Sequence, residues 1–157
     1  MKLNASFTKG VSGFNSLGYN GDVNLNSSLF SNQVRVDFGM LFNRSLPGYK
    51  QLRYAGSHVS WENDFNYVNT NDYLLSFNLD SFGLSLSSKV FMVSNYVYYG
   101  SDLKPRQFGD SFNSYLVSLN KHLVLGSYHF DFGIMYQGVS DNAPVNLPNW
   151  IGKVSVY

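Results

Sequence analysis

The sequence predicts an all-β fold, an antiparallel up-and-down transmembrane β-barrel or part of one. Apolar and polar residues alternate with a period of two in many segments, which is typical of strands with one apolar and one wet face. Aromatic residues make up 17% of the chain and charged residues only 13%, whereas soluble domains are typically about 25% charged. Several alternating segments also exceed the five or six residues usual for soluble strands and approach the roughly nine to eleven that a transmembrane strand needs.

The clearest strand is predicted over residues 128–137. Its large apolar residues occupy every second position: Tyr128, Phe130, Phe132, Ile134 and Tyr136. The residues between them are mostly polar or small, among them His129, Asp131, Gly133 and Gln137. The strand from Tyr128 to Tyr136 should span about 27 Å, or about 21 Å along the membrane normal at a tilt of about 40°. We therefore expect its even-numbered residues to face lipid and its odd-numbered residues to face a watery lumen.

About nine strands are predicted in all, mostly consecutive and suited to an antiparallel meander. The others lie at residues 3–7, 17–29, 34–42, 59–67, 73–79, 84–98, 115–119 and 150–157. No segment has the period of an amphipathic helix, and no apolar run approaches the roughly 18 residues of a transmembrane helix.

Turn residues separate these predicted strands. Short turns are expected at Ser31–Asn32, Asn69–Asn71 and Asp80–Gly83, and at residues 121–126, with long loops at 44–58, 100–110 and 138–148. Outer-membrane barrels alternate short turns with long loops. The two successive short turns at Asn69–Asn71 and Asp80–Gly83 break that alternation.

Charge and cysteine content exclude several classes of function. The net charge is +1, with 11 basic and 10 acidic residues, which gives no electrostatic basis for nucleic-acid binding. The absence of cysteine excludes disulfide scaffolds, thiol catalysis and cysteine–zinc sites. Asn4 and Ser6 interrupt the apolar region that a signal peptide would need, so we expect an export signal to lie outside this chain.

Two short motifs stand out in the chain. Trp61, Asn63 and Phe65 form a Trp-x-Asn-x-Phe segment after a long loop, and Tyr136-Gln137 ends a strand shortly before Leu147-Pro148. Both motifs resemble those of the β-barrel porin family of Bacteroidota outer membranes. Order and spacing match over residues 45–157, and the first 45 residues fit by pattern. The resemblance implies an outer-membrane porin of a Gram-negative bacterium that allows passive, non-enzymatic diffusion of small solutes. It also implies that residues 1–157 are one segment, a partial barrel of about 8–9 strands, whose partners are lipid and the remaining strands of a larger barrel.

The predicted faces suggest two groups of functional residues. Charged residues on wet faces are candidates for lining the lumen: Arg35, Asp37, Glu62, Asp64, Lys89, His129 and Asp131. Their near balance argues against strong ion selectivity. Tyrosine suits a membrane–water boundary because its ring is apolar and its hydroxyl is wet. The candidate lipid-facing aromatic belt comprises Tyr19, Phe42, Tyr73, Tyr96, Tyr98, Tyr115, Tyr128 and Tyr136.

No catalytic residue, cofactor or metal site is predicted. Glu62 and Asp64 lie about 7 Å apart on the predicted strand, which could suit a glycosidase pair or a cation site, but a wet lumen explains both acids. The three histidines, His58, His122 and His129, lack the spacing of metal ligands. The sequence contains neither a nucleophile elbow nor a phosphate-binding glycine loop.

Two alternatives remain open at this point. A soluble, surface-exposed carbohydrate-binding β-sandwich would place its aromatic residues in one cluster, on one sheet face or among the loops. A complete eight-stranded barrel acting as an adhesin or anchor would suit the chain length, but not the missing signal or the parity of Tyr157 in the last strand. Tyrosines spread along the chain near strand ends favour a barrel over the sandwich.

Overall fold

A computed structural model of the chain describes residues 1–30, 33–141 and 143–157. The strands in chain order are β1 (Lys2–Lys9), β2 (Tyr19–Leu29), β3 (Val34–Ser45), β4 (Arg53–Ala55), β5 (Ser60–Glu62), β6 (Val68–Leu79), β7 (Leu84–Ser94), β8 (Val97–Tyr99), β9 (Pro105–Gln107), β10 (Ser111–Leu125), β11 (Tyr128–Val139) and β12 (Trp150–Val156). One helical turn, α1 (Tyr49–Leu52), precedes β4.

Eight long strands form one antiparallel sheet in the order β1-β2-β3-β6-β7-β10-β11-β12. Each strand pairs with its neighbours along the chain in this set, so the sheet is an up-and-down meander. The short strands form two separate hairpins, β4–β5 and β8–β9. Within the described residues, β1 and β12 are the two edges of the large sheet and do not pair with each other. The predicted all-β antiparallel class is confirmed, and the open sheet is consistent with a partial barrel.

The connections in the large sheet alternate strictly in length. Those after β2, β6 and β10 are short, at residues 30–33, 80–83 and 126–127. Those after β1, β3, β7 and β11 are long, at residues 10–18, 46–67, 95–110 and 140–149. Because the strands are antiparallel, all long connections lie at one end of the sheet, the loop end, and all short ones at the other, the turn end. The predicted turn at Ser31–Asn32 lies outside the described residues.

The prediction for residues 59–71 is wrong in two respects. The strand expected at 59–67 is limited to β5, which pairs with β4 outside the large sheet. Of its rings, Trp61 pairs with Tyr54 in this hairpin, whereas Phe65 and Tyr67 lie in the connection before β6. The turn expected at Asn69–Asn71 does not exist, because these residues belong to β6. With both changes the large sheet has an even number of strands, and the two successive short turns disappear.

Two further strand ends differ from the predictions. The strand expected over 84–98 ends at Ser94, and residues 97–99 form β8 in a separate hairpin. The turn expected at residues 121–126 is confined to 126–127, because β10 continues to Leu125. In contrast, the turn at Asp80–Gly83 is confirmed as a 3-10 turn that ends at Gly83 with a positive φ of 57°, which glycine adopts without steric cost.

The large sheet is a single layer with almost no buried core. Among the described residues, only Val97 and Phe112 are buried hydrophobic residues, with 8% and 5% of their surface exposed. Large apolar side chains on central strands stay exposed, among them Leu119 and Ile134. In the part of the chain that the structure describes, no helix is long and apolar enough to cross a membrane.

Candidate functional site

Strand pairing divides the side chains of the large sheet between an apolar face and a polar face. Residues directly opposite each other on neighbouring strands point to the same side. One row across the apolar face contains Leu3, Leu25, Phe38, Leu75, Ser88, Val117, Tyr136 and Trp150. One row across the polar face contains Asn26, Asp37, Ser76, Ser87 and Ser118. The polar face is therefore the candidate functional surface.

Hydrogen bonds between strands organise the polar face around Asp37. Its carboxylate accepts from Asn26 Nδ2 at 2.7 Å, from Ser76 Oγ at 3.1 Å and from Asn78 Nδ2 at 3.4 Å. These donors come from β2 and β6, on either side of Asp37 in β3. Two amide groups and one hydroxyl thus stabilise the negative charge of Asp37, and this part of the face is polar.

Three ion pairs balance further charges along the polar face and its turn end. Arg35 Nη2 lies 2.8 Å from Asp80 Oδ1, and Lys89 Nζ lies 3.5 Å from Asp72 Oδ2. His122 Nδ1 lies 2.7 Å from Asp131 Oδ1 and pairs with it electrostatically when the ring is protonated. Opposite charges that lie this close leave little net field along the face.

Most of the predicted lumen-lining residues are brought to the polar face. Register places Arg35, Asp37, Lys89, His129 and Asp131 there. The other two predicted residues lie elsewhere. Glu62 is on the β4–β5 hairpin, paired with Arg53 at 3.0 Å, and Asp64 lies in the connection before β6.

Asp72 and His122 also line the polar face, and the sequence prediction missed both. Asp72 lies just after the turn wrongly expected at Asn69–Asn71, and His122 lies within the turn wrongly expected at 121–126. The period of two in β6 and β10, extended past those positions, would have placed both on the polar face.

Aromatic side chains form a belt on the apolar face near the loop end. Phe42 and Tyr73 lie 6.2 Å apart between ring centres, and Tyr136 lies 5.9 Å from Tyr115 and 4.7 Å from Trp150. Tyr19 stacks on Phe7 at 6.1 Å on the β1–β2 side. Five of the predicted belt residues are thus in the belt, which also includes Phe7 and Trp150: Tyr19, Phe42, Tyr73, Tyr115 and Tyr136.

The other three predicted belt residues occupy different places. Tyr128 is at the turn end of the same apolar face, opposite Leu125. Tyr96 and Tyr98 lie beyond the end of β7, outside the large sheet. Tyr96 packs edge-on against Phe112 at 5.6 Å, on the side of the polar face.

The comparison with protein families agrees with this arrangement. The family described as "putative porin" matches residues 1–157. The chain belongs to this porin family. No curated protein and no solved structure matches the chain. Membership of a porin family implies an outer-membrane location and supports a porin-like role.

Two of the long connections of this porin-family chain are joined at the loop end. Gln107 Nε2 donates to the carbonyl oxygens of Asn66 and Asn95, at 2.8 and 2.9 Å. Gln107 Oε1 accepts from the Asn66 backbone N–H at 2.8 Å. The side chain of one residue thus ties the connection 95–110 to the connection 46–67.

The β8–β9 hairpin packs over the loop end of the polar face. Phe112, which register places on that face, is contacted by Tyr96 and also by Phe108, whose ring centre lies 6.1 Å away. At the hairpin tip, Asp102 accepts from Arg106 Nη2 at 3.2 Å. This hydrogen bond from the guanidinium lowers the pKa of the Asp102 carboxyl below its ordinary value. The hairpin is therefore packed against the sheet at its base, and its tip is braced by a hydrogen bond within the hairpin.

The histidines of the polar face lie close together at its turn end. Across the described ranges, no group of three or more His, Asp or Glu side chains could hold a metal ion. The rings of His122 and His129 lie 5.5 Å apart, and that of His129 stacks on Tyr157 at 5.3 Å. This arrangement provides hydrogen-bonding and stacking groups for a wet surface.

Proposed function

We propose that this chain forms part of the wall of an outer-membrane pore that lets small polar solutes diffuse passively. The observation that carries the proposal is the two-sided sheet in a chain of the porin family. One face is apolar and bears an aromatic belt, and the other is lined by amides, hydroxyls and paired charges. Such a wall suits lipid on one side and water on the other.

The apolar face would contact lipid. Val117, Leu119 and Ile134 lie on central strands of the sheet with 39%, 41% and 49% of their surface exposed. Water would make this exposure costly, at about 25 cal/mol per Å² of apolar surface. Hydrocarbon removes that cost, and the belt would then mark the membrane boundary at the loop end, with Tyr128 at the opposite boundary.

Further strands of the barrel would pair with the two edges. Every residue of β1 is exposed, and so are most residues of β12. Unpaired backbone groups cannot be tolerated in the hydrocarbon region, so transmembrane sheets close into barrels. We therefore propose that the described sheet is one segment of a larger barrel and that the long connections lie at the cell surface.

The polar face would line the pore and carry no enzymatic activity. Arg35, Asp37, Lys89, His129 and Asp131 would contribute charges to the lumen, together with Asp72 and His122. Because Asp72 and Asp131, and Asp80 at the turn end, have basic partners within 3.5 Å, the pore would discriminate weakly between anions and cations.

Conductance in planar lipid bilayers tests this function. The full-length protein that contains this segment and closes the barrel, purified in detergent, is expected to give stable open steps and a reversal potential near zero across a KCl gradient. Asp37→Lys should shift the reversal potential towards anion preference while the open steps remain. A β-rich monomer that is soluble without detergent and gives no steps would contradict the proposal.

A further inference from the structure

The connection 46–67 carries a preformed aromatic surface outside the large sheet. Tyr54 and Trp61 are directly opposite each other in the β4–β5 hairpin. Their rings stack at 4.8 Å with an angle of 26° between the planes. The Trp61 indole Nε1 also donates to the carbonyl oxygen of Lys50 at 2.9 Å, which orients the ring. The two rings are therefore positioned before any ligand arrives.

Charged groups border the same surface. A concavity of about 640 Å³ is lined by both rings and by Tyr49, Arg53 and Glu62. Arg53 Nη2 lies 3.0 Å from Glu62 Oε1, and both side chains are more than half exposed. Tyr49 and Tyr54 are 64% and 45% exposed. The hairpin thus presents aromatic rings beside a neutralised pair of strong hydrogen-bonding groups, with space between them.

We propose that this concavity binds a neutral carbohydrate. A pyranose ring has a face of C–H groups, which stacks on the electron-rich face of an aromatic ring. It also has a rim of hydroxyls, to which a guanidinium can donate and from which a carboxylate can accept. The volume lies in the range of about 300–1,000 Å³ that is usual for ligand sites.

The charge arrangement favours this ligand class over two others. A purely apolar ligand would remove water from Arg53 and Glu62 without replacing its hydrogen bonds, which is unfavourable. A charged ligand would be attracted by one member of the pair and repelled by the other. A polyhydroxylated neutral ligand can stack its C–H groups on the rings and form hydrogen bonds with both members of the ion pair.

The carbohydrate site is separate from the proposed pore and does not depend on it. The β4–β5 hairpin belongs to a sheet of its own, in a connection at the loop end. A sugar bound there would lie on the side from which solutes would enter between the long connections. Conductance and sugar binding can therefore succeed or fail independently.

Tryptophan fluorescence of the detergent-solubilised protein tests the proposal. Residues 1–157 contain two tryptophans, so Trp150→Phe leaves Trp61 as the only indole of this segment. This protein is titrated with neutral hexasaccharides of α-1,4-glucan, β-1,4-glucan and β-1,4-xylan. At least one of them should give a saturable change in emission. Tyr54→Ala should weaken its binding about tenfold, which corresponds to about 1.4 kcal/mol.

Matched variants separate recognition from misfolding. Tyr54→Phe keeps the ring and should bind within about twofold of the parent protein. Tyr99→Ala removes an equally exposed tyrosine from the other hairpin and should leave binding unchanged. Lack of a saturable change with all three sugars would overturn the proposal, and so would equal weakening by Tyr54→Ala and Tyr99→Ala. Bilayer conductance measured on the same preparations reports separately on the pore.

Discussion

The two faces of the large sheet are built from alternate residues of the same strands, yet different interactions organise them. On the polar face, neighbouring strands exchange side-chain hydrogen bonds, as where Ser87 and Ser118 meet at 2.7 Å. On the apolar face, contacts between strands are those of aliphatic groups and rings, as between Tyr115 and Tyr136. The strand backbone is common to both faces, so the difference comes from the side chains that each face carries.

The described residues have almost no buried core because no second sheet covers the apolar face. In a soluble sandwich the apolar face would be covered by a second sheet about 10 Å away. Here the described residues form one long sheet and two small hairpins, and the buried residues Val97 and Phe112 lie where a hairpin folds onto the polar face. In the proposed pore, lipid would cover the apolar face instead.

The largest expected effect comes from placing the same charge on each face of β10. Leu119→Arg puts a guanidinium between Leu86 and Ile134, at the middle of the apolar face. In a bilayer this should cost about 2–4 kcal/mol of unfolding free energy, because a lipid-facing arginine loses its hydration. Urea unfolding in phospholipid vesicles, followed by tryptophan emission, measures the loss.

Ser118→Arg is the matched control for that substitution. Ser118 is the neighbouring residue and faces the polar side, opposite Ser87. There the guanidinium stays hydrated, so the unfolding free energy should change by no more than about 0.5 kcal/mol. If both variants lose the same stability, the apolar face does not contact lipid.

A smaller effect is expected within the aromatic belt. Tyr136→Ala removes two ring contacts, to Tyr115 and to Trp150, each worth about 0.5–1.5 kcal/mol. The same urea titration should show a loss of about 1–3 kcal/mol. Tyr136→Phe keeps both ring contacts and should lose well under half as much unfolding free energy. Equal losses in the two variants would assign the effect to the hydroxyl and not to the belt.

The division into faces was largely predictable from the sequence, and the errors follow from reading polar residues as they behave in soluble proteins. Alternation in residues 34–42 and 128–137 predicted β3 and β11 because each of these strands has one apolar and one polar face. Asn69–Asn71 looked like a turn because asparagine favours turns in soluble loops, but asparagine also suits a strand whose surroundings are wet. The alternation fades at Phe91 and Val93 since the polar face itself becomes apolar near Phe112, where the β8–β9 hairpin covers it.

Predictions for the loop end were poorer for a different reason. The β4–β5 and β8–β9 hairpins are held by contacts between residues far apart in sequence, such as the hydrogen bonds of Gln107 with Asn66. Periodicity carries no information about such contacts. Exposed rings in the connection 46–67 therefore looked like part of a strand, although they form a surface of their own.

The smallest effect compares two ion pairs of the polar face that differ in their exposure to water. Lys89 pairs with Asp72, whose side chain is only 17% exposed, and lies 4.3 Å above the Phe91 ring centre. Asp72 Oδ1 is buried and has no hydrogen-bond partner among the described residues. Lys89→Met should therefore destabilise the protein by about 1 kcal/mol, because it leaves a poorly hydrated carboxylate without its counter-ion.

A double-mutant cycle isolates that interaction. Adding Asp72→Asn to Lys89→Met removes the unpaired charge and should recover most of the loss. The same cycle on Arg35 and Asp80, which are both about half exposed, should give a coupling of only a few tenths of a kcal/mol, since water screens that pair. The two coupling energies come from the same urea titrations. Equal coupling energies would mean that water reaches Lys89 as freely as Arg35. The apolar side chains beside Lys89 would then not restrict the access of water to this part of the polar face.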